Sequence, residues 1–134
     1  MSEFTLKIVT PDGEKFCGSA KSILARTDNG DVQIMAAHTD YLAALGTGRA
    51  KITLPDGKER LAACSGGFIS VKSGEVTLIA TTFEYAEEID VARAMAAKEK
   101  AQALIKAAKE SREELLAKAK LARAINRINV ADGM

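Results

Sequence analysis

From Phe4 to Ala80 apolar and polar residues tend to alternate, and turn-forming residues interrupt the pattern every 8–12 positions. A period of two marks strands with one face buried and one face in water. Runs 4–9, 19–26, 31–35, 49–53, 59–64, 68–72 and 75–80 read as strands on this basis. Thr10-Pro11-Asp12-Gly13, Asp28-Asn29-Gly30, Leu54-Pro55-Asp56-Gly57, Ser65-Gly66-Gly67 and Lys72-Ser73-Gly74 read as the turns between them. In these, Pro pre-sets φ and Gly accepts a positive φ. Short strands at this spacing predict an antiparallel sandwich or flattened barrel of eight to ten strands.

The period changes across residues 84–94. Beyond Asp90 there is no Gly or Pro until Gly133, and Ala, Lys, Glu, Leu and Arg dominate. Asp90 suits a helix start, since its side chain can accept a backbone N–H and its charge favours the positive end of the helix dipole. Apolar seams run Ala94, Ala97, Ala101, Leu104, Ala108 and then Ala117, Leu121, Ala124, Ile128, out of step with each other near Lys109. Ser111-x-x-Glu114 fits a capping box at a second start. The expectation is an α+β chain with a sandwich over 1–86 and a helical domain over 87–134. Its two helices, near 90–108 and 112–130, would fold as an antiparallel hairpin. Alanine seams bury little area, and nothing near 109–111 forbids helix. The hairpin could therefore open into one rod of roughly 60 Å at about 1.5 Å per residue.

Composition narrows the function. The chain has 134 residues, 47% hydrophobic and 4% aromatic, with no Trp. The core must be aliphatic, and platforms for stacking bases are scarce, which argues against nucleic-acid binding. Net charge is +1, but residues 1–89 carry 9 basic and 12 acidic side chains while residues 90–134 carry 10 and 6. A basic tail on an acidic body invites an acidic partner. Lys118, Lys120, Arg123 and Arg127 follow one another with no acidic residue from Glu114 to Asp132. They are expected to form one cationic face. Cys17, Cys64 and a single His have no zinc-ligand spacing, and both thiols are expected to be free and buried. No G-x-x-x-x-G-K-[ST] phosphate loop is present. His38 and Asp40 could form a base pair for catalysis, but no nucleophile is placed to complete a set; a loop histidine bonded to backbone is the preferred reading.

Four stretches in order, Val9-Thr10-Pro11-Asp12-Gly13, Ser65-Gly66-Gly67-Phe68, Ile89-Asp90-Val91-Ala92-Arg93-Ala94 and Leu121-Ala-Arg-Ala-Ile-Asn-Arg127, resemble the bacterial F-type ATP synthase epsilon subunit over essentially the whole chain. The resemblance implies a ten-stranded sandwich that binds the gamma subunit and the c-ring. It also implies a helical tail that inhibits ATP hydrolysis when extended against the alpha and beta subunits. The subunit would be non-catalytic, without a required cofactor, and peripheral on the cytoplasmic side of the bacterial plasma membrane. In some members the folded tail binds regulatory ATP. The residues concerned map here to Glu84, Ile89, Asp90, Arg93, Ala94, Arg123 and Arg127, with Lys100 where those members have Arg. A Gly-His-x-Pro turn of the family is here Ala37-His38-Thr39-Asp40. The rival from another class is a free-standing nucleotide sensor or adaptor.

Overall fold

A computed structural model describes residues 3–133. It divides into two compact units, one ending at Tyr85 and the other starting at Ala86. The first holds ten strands: β1 (Phe4–Thr10), β2 (Gly13–Ala20), β3 (Ser22–Thr27), β4 (Gly30–Met35), β5 (Tyr41–Ala44), β6 (Gly48–Thr53), β7 (Glu59–Ser65), β8 (Phe68–Lys72), β9 (Glu75–Ile79) and β10 (Thr82–Tyr85). They form two five-stranded sheets, in the orders β2-β1-β9-β8-β5 and β10-β7-β6-β3-β4. Pairing is antiparallel except between β1 and β9, which run parallel.

The alternation read in the sequence is the alternation of burial. In β1, Phe4, Leu6 and Ile8 face the core while Thr5 and Lys7 face out. Leu6, Ile8, Ile23, Ile34, Ile52, Ile69 and Leu78 are wholly buried between the sheets. Each such side chain is worth about 1.5–3 kcal/mol when removed from water. Phe83 and Tyr85 meet edge to face at 5.3 Å. The Tyr85 hydroxyl donates to the Lys15 carbonyl at 2.7 Å, and the Arg60 guanidinium lies 3.6 Å from the Tyr85 ring centroid.

Three readings of this unit change. Residues 19–26 are not one strand, because the chain leaves the first sheet at Ala20 and enters the second at Ser22. The Lys21 N–H donates to the Thr53 carbonyl at 2.8 Å and anchors the crossing. A continuous apolar-polar rhythm hides the crossing, because both strands keep the same period. Tyr41–Ala44 and Thr82–Tyr85 are further strands, too short to register as alternating runs. Cys17 is exposed on β2 rather than buried, since an odd-numbered position on that strand faces outward. Cys64 is buried, and burial pushes its thiol up to about 12.

Asp40 is not paired with His38. Its carboxylate accepts the Ser73 N–H at 3.0 Å and ties the loop after β4 to the β8–β9 turn. His38 stacks edge-on against Tyr41, and its Nδ1 is 2.7 Å from the Thr39 carbonyl. Ala37 holds φ 62, a left-handed conformation that its Cβ makes costly. At Gly67, with φ +88, an added Cβ would fall 1.8 Å from the Ile79 carbonyl oxygen, so only glycine fits.

The second unit opens with a 3₁₀ turn, Ala86–Glu88, and continues as α1 (Val91–Ala107) and α2 (Ser111–Ala131). Only residues 108–110 join the helices, which pack together as a hairpin. Ala94, Ala101, Ala117 and Ala124 are buried, while Ala97 and Leu104, expected in the seam, are exposed. Heptad spacing drifts off a straight helix by about 20° per repeat. The first helix instead presents Ala94, Ala101, Ile105 and Ala108 inward. The expected capping box is also displaced. Glu110, not Ser111, holds the N-cap position, and it makes no side-chain cap hydrogen bond. Glu114 instead pairs with Lys118 at 2.9 Å.

Candidate functional site

Two surfaces carry chemistry, one on each unit. On the hairpin the decisive geometry is rotational. At about 100° per residue, Arg93, Ala97, Lys100 and Leu104 form a stripe roughly 90° from the α1 seam. Leu116, Lys120, Arg123 and Arg127 form a stripe roughly 90° from the α2 seam, in the same rotational sense. Antiparallel packing relates the helices by a twofold axis perpendicular to the hairpin, so both stripes fall on the same face. The partners are matched in level: Arg93 with Arg127, Lys100 with Lys120 and Leu104 with Leu116 are each equidistant in sequence from Glu110. The face thus runs from arginines at the open end, through a lysine pair, to two exposed leucines by the 108–110 connection.

The expected cationic quartet is therefore not one face. Lys118 lies on the other flank of α2, held by Glu114. Lys120, Arg123 and Arg127 share an arc of about 60°, joined by Arg93 and Lys100 from α1. Like charges this close favour a polyanion. Lys120 was not among the residues expected to hold a ligand. Its mirror relation to Lys100 is the signal that finds it.

The remaining site residues are placed as follows. Asp90 is the N-cap of α1, with φ −82 and ψ 100, and Oδ1 accepts the Arg93 N–H at 3.0 Å. This leaves Oδ2 as an acceptor at the open end of the face. Ile89 is half-buried, and its N–H reaches the Ala86 carbonyl at 3.3 Å. Ala94 is buried in the seam, and its N–H is taken by the Asp90 carbonyl at 3.0 Å. Its role is to let the helices approach. Glu84 belongs to the first unit, on β10 opposite Ala63. The second unit alone thus brings together Asp90, Arg93, Lys100, Arg123 and Arg127.

The sandwich offers a different surface. On the outer side of the first sheet, Val9, Ile79, Phe68 and Ala44 are consecutive register partners across β1, β9, β8 and β5. Leu42 lies on the same side, two residues along β5 from Ala44. Leu42 is 70% exposed, Phe68 40% and Ile79 39%. An apolar row across four strands, open to water, is the mark of a docking surface.

Comparison with known proteins agrees with this division. The family pattern described as ATP synthase, Delta/Epsilon chain, beta-sandwich domain, matches residues 3–86, and the long alpha-helix domain of the same chain matches residues 87–132. The chain belongs to the ATP synthase epsilon chain family. It is 38% identical over 133 residues to the ATP synthase epsilon chain of Ruminococcus albus, covering 98% of each. It is 36% identical to that of Bacillus velezensis, covering 98% of each, and 36% identical to that of Caldicellulosiruptor bescii, covering 98% of this chain and 96% of the other. Among solved structures, a chain of the Euglena gracilis mitochondrial ATP synthase (OSCP/F1/c-ring) superposes with TM-score 0.84 at 22% identity, over 94% of this chain and 79% of that one. A chain of the Tetrahymena thermophila mitochondrial ATP synthase central stalk and c-ring superposes with TM-score 0.62 at 14% identity, over 95% of each. These two establish the shared fold. No described helix is long and apolar enough to cross a membrane.

Proposed function

We propose that this chain is a central-stalk subunit of a bacterial F-type ATP synthase, peripheral at the cytoplasmic side of the plasma membrane. Its sandwich links the gamma subunit to the c-ring, and its hairpin brakes hydrolysis by the alpha and beta subunits. The apolar row Val9–Ile79–Phe68–Ala44 is the surface we assign to gamma. The subunit performs no chemistry of its own; it couples rotation to proton flow and regulates hydrolysis.

One observation carries the brake. Ala97, Leu104, Leu115, Ala119 and Ala122 are exposed in the hairpin, and Ala108 is half-buried. In the hairpin they are divided between faces, Ala97 and Leu104 on a flank of α1 and Leu115, Ala119 and Ala122 on the side of α2 away from the seam. In a single continuous helix they fall within an arc of about 60°, separated by steps of seven, four and three residues. Leu104 and Leu115, two of the large side chains that the hairpin leaves in water, thus line up with four alanines as one stripe in the rod. A sequence that encodes an apolar stripe for each state is suited to two conformations.

The cationic face supplies the switch. Arginine forks bind a triphosphate bidentately, and the free oxygen of Asp90 can accept from a ribose hydroxyl. The face exists only while the helices are paired, so ATP stabilises the hairpin and holds the brake off. The deciding experiment is an ATPase assay of the reconstituted complex with and without residues 88–134. Removal should raise hydrolysis and abolish its dependence on regulatory ATP. Equal activity with both forms, at full occupancy of the complex, refutes the brake.

A further inference from the structure

The hairpin requires a break in a stretch with no residue that forces one. Residues 108–110 contain neither Gly nor Pro, yet Ala108 (φ −65, ψ 128) and Glu110 (φ −121, ψ 147) are extended. Such a break strands the carbonyls at the end of one helix and the N–H groups at the start of the next. The two starts in this unit are treated differently. α1 is capped by Asp90, a residue of the right length. α2 begins with Glu110 at the N-cap and no side-chain hydrogen bond there, while Ser111, the better cap, lies one residue inside the helix. Among the described residues, one side chain reaches back across the break: Glu113 Oε2 accepts the Lys109 N–H at 3.3 Å.

We propose that Glu113 is the latch of the hairpin and Glu110 its deliberate weakness, so that these two residues set the balance between hairpin and rod. The inference rests on the two-state reading above. A contact shifts an equilibrium only by the difference it makes between the two states. In the rod, Lys109 N–H bonds to the Ile105 carbonyl, and Glu113 cannot reach a backbone donor in a helix interior. The Glu113 bond therefore exists in the hairpin alone. In the rod Glu113 keeps only a side-chain pairing with Lys109 at i,i+4, with Lys on the amino-terminal side, the weaker orientation. Glu110 acts in the opposite direction. At an N-cap its extra methylene keeps the carboxylate from folding back onto N2 or N3, which a shorter Asp or Ser does readily. The same residue is a good helix former, so it favours the rod. Evolution of a tighter or looser brake needs no change in the ligand face; it needs a change at 110 or 113.

The test uses spin labels at Met95→Cys and Ile125→Cys on the full chain, with Cys17→Ser and Cys64→Ala in the background. These two positions are exposed and lie side by side at the same level of the hairpin, on the flank opposite the Arg93–Lys100–Lys120–Arg123–Arg127 face. Helix axes packed about 10 Å apart give a short label distance, whereas thirty residues of rod give about 45 Å. Relative to the parent, Glu113→Ala should raise the fraction of the narrow long-distance peak about five- to tenfold. Glu110→Ser should lower it by a similar factor, and Glu110→Ser with Glu113→Ala should fall between. Identical distributions in all four proteins, an all-hairpin result included, overturn the proposal. So does a broad smear in Glu113→Ala, which would mean that the tail unravels rather than straightens. If the truncation experiment shows no brake but the labels respond as stated, the latch stands and only its use in the complex falls.

Discussion

Ala117→Glu separates the two states of the tail most cleanly. In the hairpin Ala117 is 3% exposed, packed in a seam with Ala94, Ala101 and Ala124. Four buried methyl groups at about 0.8 kcal/mol each stabilise that seam by roughly 3 kcal/mol. A carboxylate placed among these methyl groups costs several kcal/mol on burial. The penalty exceeds the seam's gain, so the hairpin should open. In the rod the same position is on the surface, and Glu is as good a helix former as the site needs. The companion change is Leu115→Glu. Leu115 is 69% exposed in the hairpin, so this state should be unaffected, but the rod loses the centre of its apolar stripe. The two substitutions, two residues apart and identical in chemistry, should move hydrolysis in opposite directions. In reconstituted complex, Ala117→Glu should lower ATPase activity about tenfold or more and remove its response to regulatory ATP. Leu115→Glu should raise activity toward that of the truncated form. Spin labels on the isolated subunit report whether the hairpin has opened. If Ala117→Glu opens it and the assembled complex still hydrolyses ATP at the parent rate, the assignment of the rod as the inhibiting state is wrong.

Isothermal titration of ATP into the isolated subunit should give a dissociation constant between micromolar and millimolar. Arg123→Ala or Arg127→Ala should weaken it, and Lys100→Arg should tighten it about tenfold or more by restoring a bidentate contact worth about 1.5–3 kcal/mol. No heat at several millimolar ATP would remove the ligand from the account. Phe68→Asp together with Ile79→Asp should abolish capture by the gamma subunit while circular dichroism of the sandwich stays that of the parent. Retained capture would move the docking surface elsewhere. Gly67→Ala should cost more than about 3 kcal/mol in urea unfolding, because the backbone itself must shift and the positive φ adds strain. Cys64, its thiol pushed up to about 12 against an ordinary value of 9.0, should titrate later in the fold than in the unfolded chain. Stability should therefore fall as pH rises from about 9 toward 12, and Cys64→Ala should remove that part of the slope.

The sequence by itself determined whatever depends on near neighbours. Alternation along β1, the Pro-Asp-Gly turns, the change of period after Tyr85 and the cap at Asp90 are all settled within a few residues, and each is where the pattern predicts. Arg93, Lys100, Arg123 and Arg127 were legible as candidates because their spacings repeat a family motif. Only the tertiary structure decided which faces meet. Ala94, Ala97 and Ala101 are equally plausible seam residues by composition, and packing against a second helix selects the first and last. Lys118 and Lys120 are indistinguishable as a run of cations, yet a rotation of about 200° puts them on opposite flanks of α2. The crossing at Lys21, the parallel pairing of β1 with β9 and the apolar row on the first sheet each depend on strands far apart in the chain. Local propensity carries no information about them, because their free energy comes from burial between segments that a reading along the chain never compares.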